Sequence, residues 1–152
     1  MHKKKLKVGI TGGIGSGKTT VCKIFEKFGI PVYYADFRAK QLMITQPEIV
    51  DTVKKIFGEE AYSSDGELNR PHIAQIAFNN PEKLQQLNAI VHPAVHKDSE
   101  DWHLAQDAPY TLNEAALMVE SGGYKRMDKL IVVTAPLEIR IQRVMDRDHV
   151  TR

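Results

Sequence analysis

Residues 9–20, GITGGIGSGKTT, follow directly on the apolar run LKVGI of residues 6–10. Within them Gly12, Gly13, Ile14, Gly15, Ser16, Gly17, Lys18 and Thr19 match the phosphate-loop pattern G-x-x-x-x-G-K-[ST]. With glycine near 7% of residues, the four fixed positions would coincide by chance in a chain this long roughly 0.5% of the time, so the loop reads as functional and not as an ordinary glycine-rich turn. The flanking sequence supports this. Leu6 to Thr11 reads as a short buried strand, and Val21, Ile24, Phe25 and Phe28 recur at i, i+3, i+4 and i+7, one face of a helix. Glycines let successive backbone N–H groups converge on an anion at the positive end of that helix. A nucleotide would then lie against Gly12 to Thr20, with Lys18 on its β- and γ-phosphates and the Thr19 hydroxyl helping to hold Mg²⁺.

The rest of the composition sets the class. The 152 residues, 42% hydrophobic and 26% charged, have the balance of one soluble domain. A net charge of +2 is too small for a phosphate-tracking surface, which argues against nucleic acid and anionic membrane as partners. A single cysteine, Cys22, excludes an internal disulfide framework and reads as a small buried hydrophobe. The basic start MHKKKLK lacks an apolar segment behind it, so His2 to Lys5 reads as a solvated tail and the cytosol is the expected compartment.

Beyond the loop, strand and helix signals alternate. Gly29 and Pro31 stop the first helix, IPVYYA (30–35) reads as a strand, and Asp36 sits where an N-cap would open the helix FRAKQLMI (37–44). QPEIVDTVKKIFG (46–58) is amphipathic, with Pro47 suited to the first turn and Gly58 to the end. Residues 63–106 predict two or three short helices and no strand, one starting at Asn80-Pro81 and striped by Leu84, Leu87, Ile90 and Val91. APYTLNEAALMV (108–119) and KLIVVTAP (129–136) return to strand patterns, and Pro136 opens a last helix, LEIRIQRVMDRD (137–148). Such alternation predicts an α/β fold with a parallel sheet of four visible strands and an inserted helical lobe at about 59–107. Residues 1–152 are read as one domain carrying that lobe.

The chemistry can be narrowed further. Guanine-reading GTPases carry N-K-x-D, whereas YKRMD (124–128) begins with Tyr124, which shifts weight toward an ATP-using kinase. Phosphoryl transfer depends mainly on positioning, which can supply ~7–11 kcal/mol of the barrier. It also needs cations on the transferred group and an acceptor for the hydroxyl proton. Asp36, at the carboxyl end of the second strand, can take that proton or simply cap a helix. Arg140, Arg143 and Arg147 form one basic stripe on the last helix, a solvated face or a source of charge for the phosphoryl group. His92, His96 and His103 do not share a spacing that closes a zinc site.

Six segments taken together resemble the dephospho-CoA kinase family: TGGIGSGKTT (11–20), GIPVYYAD (29–36), LNRPHIAQIAF (68–78), LNAIVHP (87–93), EAALMVESG (114–122) and IQRVMDRDHVTR (141–152). The resemblance implies a three-layer P-loop kinase fold and ATP-dependent phosphorylation of the ribose 3′-hydroxyl of dephospho-CoA, giving coenzyme A and ADP. It puts the family's acidic catalytic residue at Asp36, makes Arg143 and Arg147 its nucleotide-contacting arginines, and leaves Arg140 as surface. His92, with Arg70, becomes a substrate-binding residue. Glu114 stands near the family's acidic strand end and is read as acting through water on Mg²⁺, with Glu120 structural. Three departures stand out: Tyr34 replaces a usual aspartate, Ala116 replaces a proline, and the family's lid helix, fifth strand and closing helix would lie beyond Arg152. The competing readings are a nucleoside or other small-molecule kinase, and a nucleotide-binding module without turnover.

Overall fold

The computed structural model describes residues 4–152; Met1 to Lys3, which include the start of the tail expected to be solvated, lie outside them. Two compact units form: the chain to Tyr34 together with Trp102–Arg152, and Ala35–Asp101.

The first unit is built on a four-stranded parallel sheet, order β2-β3-β1-β4, from β1 (Leu6–Gly12), β2 (Val32–Tyr34), β3 (Tyr110–Glu114) and β4 (Lys129–Val133). Parallel neighbours cannot be joined by hairpins, so every connection crosses over, as the alternating sequence pattern requires. β1 is central: Ile10 stands opposite Glu114 of β3 on one side and Ile131 of β4 on the other. Val8, Ile10, Cys22, Ile30 and Leu112 form the core, with Phe25 and Tyr110 packed against it. Cys22 is fully buried on α1 (Lys18–Lys27), as its apolar neighbours predict. Burial, then the nearby Glu114 carboxylate, pushes its thiol up to about 11.

β2, β3 and β4 are shorter than the runs that predict them, whereas β1 extends through Gly12. APYTLNEAALMV gives only Tyr110–Glu114, because the chain turns after Ala115, whose N–H still bonds Ile10 O at 3.2 Å. Lys5, expected in a solvated tail, instead donates to His103 O at 2.6 Å and Gln106 O at 2.5 Å. These carbonyls lie at and just beyond a helix end, where intrahelical i+4 partners run out; His103 O also takes the Gln106 N–H at 3.3 Å, and the ammonium group supplies the further donors.

In the second unit, α2 (Ala35–Thr45), α3 (Pro47–Phe57), α4 (Arg70–Asn79) and most of α5 (Pro81–Ala105) bury Leu42, Val53, Phe57, Ile73, Leu87 and Val91 in one core. The unit opens earlier than the lobe expected at 59–107 because α2 and α3 supply half of that core. The Tyr62 hydroxyl donates to Met43 O at 2.6 Å, and burial pushes its phenol up to about 12. Asn69 and Asn80 cap α4 and α5 through the His72 and Lys83 amides.

Two expectations change here. Of the two or three short helices expected over 63–106 two form, α4 and α5, but the one starting at Asn80-Pro81 is not short: it runs 25 residues, continues through Pro93 and places His92 in its interior. An interior proline sacrifices a hydrogen bond, but buried Leu87 and Val91 and half-buried Ala94 and Val95 fasten both flanks to the core. Asp36 is not an N-cap: β2 runs straight into α2, and Asp36 falls in its first turn, where a negative charge suits the helix dipole. Among the described residues no helix is long and apolar enough to cross a membrane.

Candidate active site

The loop between β1 and α1 is shaped by its own backbone. Ser16 N–H donates to Gly13 O at 3.1 Å, closing a tight turn. Gly15 and Gly17 then take left-handed conformations, φ 73° and 92°, which a side chain would oppose. The first helical bond runs from Val21 N–H to Gly17 O, leaving the amides of Lys18, Thr19 and Thr20 without intrahelical acceptors. Beside them Ser16 Oγ is buried and has no hydrogen-bond partner. Buried hydroxyls are normally paired, so orphaned amides around an orphaned hydroxyl make a cradle for phosphate oxygens.

Lys18 and Glu114 meet at the carboxyl edge of the sheet, 2.5 Å apart, with side chains only 14% and 10% exposed. β3 presents Glu114 there because it pairs in register with β1, whose end leads into the loop. The carboxylate expected to face Mg²⁺ through water is thus occupied by the loop lysine. Among the described residues no group of three or more His, Cys, Asp and Glu is arranged around a metal position.

The arginine stripe divides in three. Arg143, read as a nucleotide-contacting arginine, donates from Nη1 to Gly15 O at 3.1 Å, which places it beside the loop. Arg140, expected at the surface, donates from Nε to Ile14 O at 3.0 Å. Arg147 does not reach the loop; it grips Asp148 at 2.6 and 2.8 Å and holds that carboxyl below the usual range. The contact of Arg140 with the loop was not foreseen. The spacing of three between Arg140 and Arg143 puts both on one face of α6 (Leu137–Asp148), and that was the available signal.

Tyr34, at the position where the family resemblance implies an aspartate, turns its hydroxyl to Glu26 of α1 at 2.9 Å. Burial and that bond push its phenol up. Thr19 and Thr20 are exposed on the first turn of α1, and Glu120 is exposed beyond β3. Asp36, Arg70 and His92 all belong to the second unit, on α2, α4 and α5. Each is exposed, and none has a side-chain partner among the described residues.

Residues 6–152 match the family described as dephospho-CoA kinase. A dephospho-CoA kinase of Chlorobium chlorochromatii is 36% identical over 157 residues, covering 99% of this chain and 74% of that protein. A crystal structure of a Thermus thermophilus protein aligns with a TM-score of 0.85 at 34% identity, over 98% of this chain and 75% of that one. The dephospho-CoA kinase of Campylobacter jejuni aligns with a TM-score of 0.71 at 25% identity, over 97% and 75%. This chain therefore spans about three quarters of the length of each.

Proposed function

The chain belongs to the dephospho-CoA kinase family, and on that premise we propose how its residues divide the work of phosphorylating dephospho-CoA with ATP. The observation that carries the proposal is the cradle of unpaired amides and the unpaired Ser16 hydroxyl at the head of α1, with Lys18 beside it. A triphosphate fits those donors, and Gly12 to Thr20 hold it through main-chain amides. Lys18 exchanges Glu114 for the donor's phosphates, because a lysine point charge so near a carboxylate is available to a stronger anion at the same place. Arg143 adds positive charge where the transferred group becomes more anionic. One hydroxyl, Thr19, and one carboxylate, Glu114, would hold Mg²⁺, the remaining oxygens coming from phosphate and water. Bound there, Mg²⁺ supplies charge neutralisation across the phosphates.

The acceptor falls to the second unit, read as the substrate lobe. Asp36 takes the proton of the ribose 3′-hydroxyl, while Arg70 and His92 bind dephospho-CoA. Arg147 is the weakest member of the nucleotide set, since its guanidinium must first leave Asp148. The lone buried cysteine suits a reducing compartment, the cytosol.

The test is ADP release from ATP with dephospho-CoA, against a panel of nucleosides. Stimulation by dephospho-CoA alone is the expected result. Stimulation by a nucleoside alone defeats the proposal, and ATP binding without turnover on any acceptor favours a binding module instead.

A further inference from the structure

We propose that Arg140 is a positioning residue of the phosphate loop, holding the Ile14–Gly15 segment in the shape that receives the donor's β-phosphate. The proposal rests on the reading that this loop binds ATP.

Arg140 and Arg143, one helical turn apart on α6, donate to the consecutive carbonyls of Ile14 and Gly15 at 3.0 and 3.1 Å. Among the described residues these are the two side chains bonded to the main chain of the loop. In a trans peptide the C=O of one residue and the N–H of the next point to opposite sides. Fixing Ile14 O on Arg140 therefore turns the Gly15 N–H away from the guanidinium and frees it for an anion.

Contact with the loop glycines is equally close. A Cβ on Gly15 would stand 2.5 Å from Arg140 O, and one on Gly13 would stand 2.5 Å from the Arg140 guanidinium. Both glycines thus leave room for this one residue as well as for ligand, so α6 sets how far the loop can open. Arg140 and Arg143 have no carboxylate partner among the described residues, unlike Arg147. Their charge stays on the loop, and a guanidinium donor bonds a carbonyl more strongly than a neutral one does. Arg140 acts on phosphate through the backbone; Arg143 shares that contact through Gly15 O, and the charge proposed for it on the transferred group is a separate role.

The experiment is ADP affinity by calorimetry on the full chain, comparing wild type with Arg140→Ala, Arg140→Lys and Gln142→Ala. Gln142 is exposed on the same helix and bonds only Asp146, so its variant reports loss of helix stability without loss of the clamp. Arg140→Ala should weaken ADP binding about 10-fold or more, the scale of one charge-assisted hydrogen bond. Arg140→Lys should recover part of this, since it restores charge without the planar fork. Gln142→Ala should stay within about 2-fold of wild type. ADP affinity unchanged in Arg140→Ala, or lowered equally in Gln142→Ala, overturns the proposal. If Arg140→Ala does not fold, the lysine variant decides: wild-type affinity refutes the clamp, and intermediate affinity supports it. A wild-type protein that fails to bind ADP overturns the ATP reading itself, and the clamp with it.

Discussion

The two compact units make their candidate sites from different materials. In the first, the groups proposed to hold phosphate are main-chain amides, shaped by two left-handed glycines, with Lys18 paired to Glu114 and the loop carbonyls bonded by Arg140 and Arg143. In the second, Asp36, Arg70 and His92 stand exposed on three helices, although the core cluster of that unit is the larger, with ten buried residues against five among the described residues. A large core fixes where helices lie without fixing what their outer side chains do. Preorganisation comes from packing and hydrogen bonds on the functional group itself, and only the first unit supplies them.

The strongest way to break this contrast is Lys18→Ala, which should cut turnover by about 10³-fold in a coupled ADP-release assay, the upper scale for removing one stabiliser of developing charge. The same change strands Glu114 with no cation, so stability in urea should fall by about 3 kcal/mol. Adding Glu114→Gln should restore stability and leave activity lost. Near-normal turnover in Lys18→Ala would show that the preorganised loop is not the donor site.

A smaller effect belongs to the second unit. Asp36→Asn should lower turnover about 10²-fold, the usual scale of a proton-transfer group, while ADP affinity measured by calorimetry stays at the wild-type value. Unchanged turnover would reduce Asp36 to a favourable charge in the first turn of α2.

The smallest effect is on stability against pH, and it reaches both units. Burial holds the Cys22 thiol protonated up to about 11 and the Tyr62 phenol up to about 12, with Tyr34 raised as well. An unfolded chain ionises these groups sooner, so above about pH 9 it binds fewer protons than the native state, and stability falls as pH rises. The loss should begin with Cys22 between about pH 9 and 11 and extend to about 12 through Tyr62. Urea midpoints at several alkaline pH values measure it, and Cys22→Ala should flatten the first part of the decline. An unaltered slope in that variant would assign the loss to other groups.

How much of this could be read in advance follows the same division. β1, the loop and α1 were legible because each rests on local rules: an apolar run, glycines where backbone must turn left-handed, and a 3.6-residue stripe. Helix boundaries at Pro47, Gly58 and Asn80 followed from capping chemistry. The length of α5 was not legible, because Pro93 carries a local penalty that is outweighed only by core contacts on both sides of it, Leu87 and Val91 before and Ala94 and Val95 after. Lys5 misled for a related reason, since its acceptors are helix-end carbonyls about a hundred residues away. At the site, the places of Lys18 at the head of α1 and of Arg143 beside the loop could be read from the motif and the family resemblance, their roles being proposals. The Lys18–Glu114 pair and the Arg140 contact could not, because each joins elements brought together only by the sheet.

By itself, then, the sequence determined that a phosphate-holding loop would stand between a buried strand and a helix, and that the surrounding sheet would be parallel. Both follow from backbone freedom and apolar periodicity, which act over a few residues. Tertiary structure alone decided which side chains close around that loop. The register of β3 on β1 sets Glu114 against Lys18, and the lie of α6 sets Arg140 on Ile14 and leaves Arg147 with Asp148. Arginines spaced three and four apart look equivalent along a helix, and they part company only when one face of it meets the carbonyls of a loop.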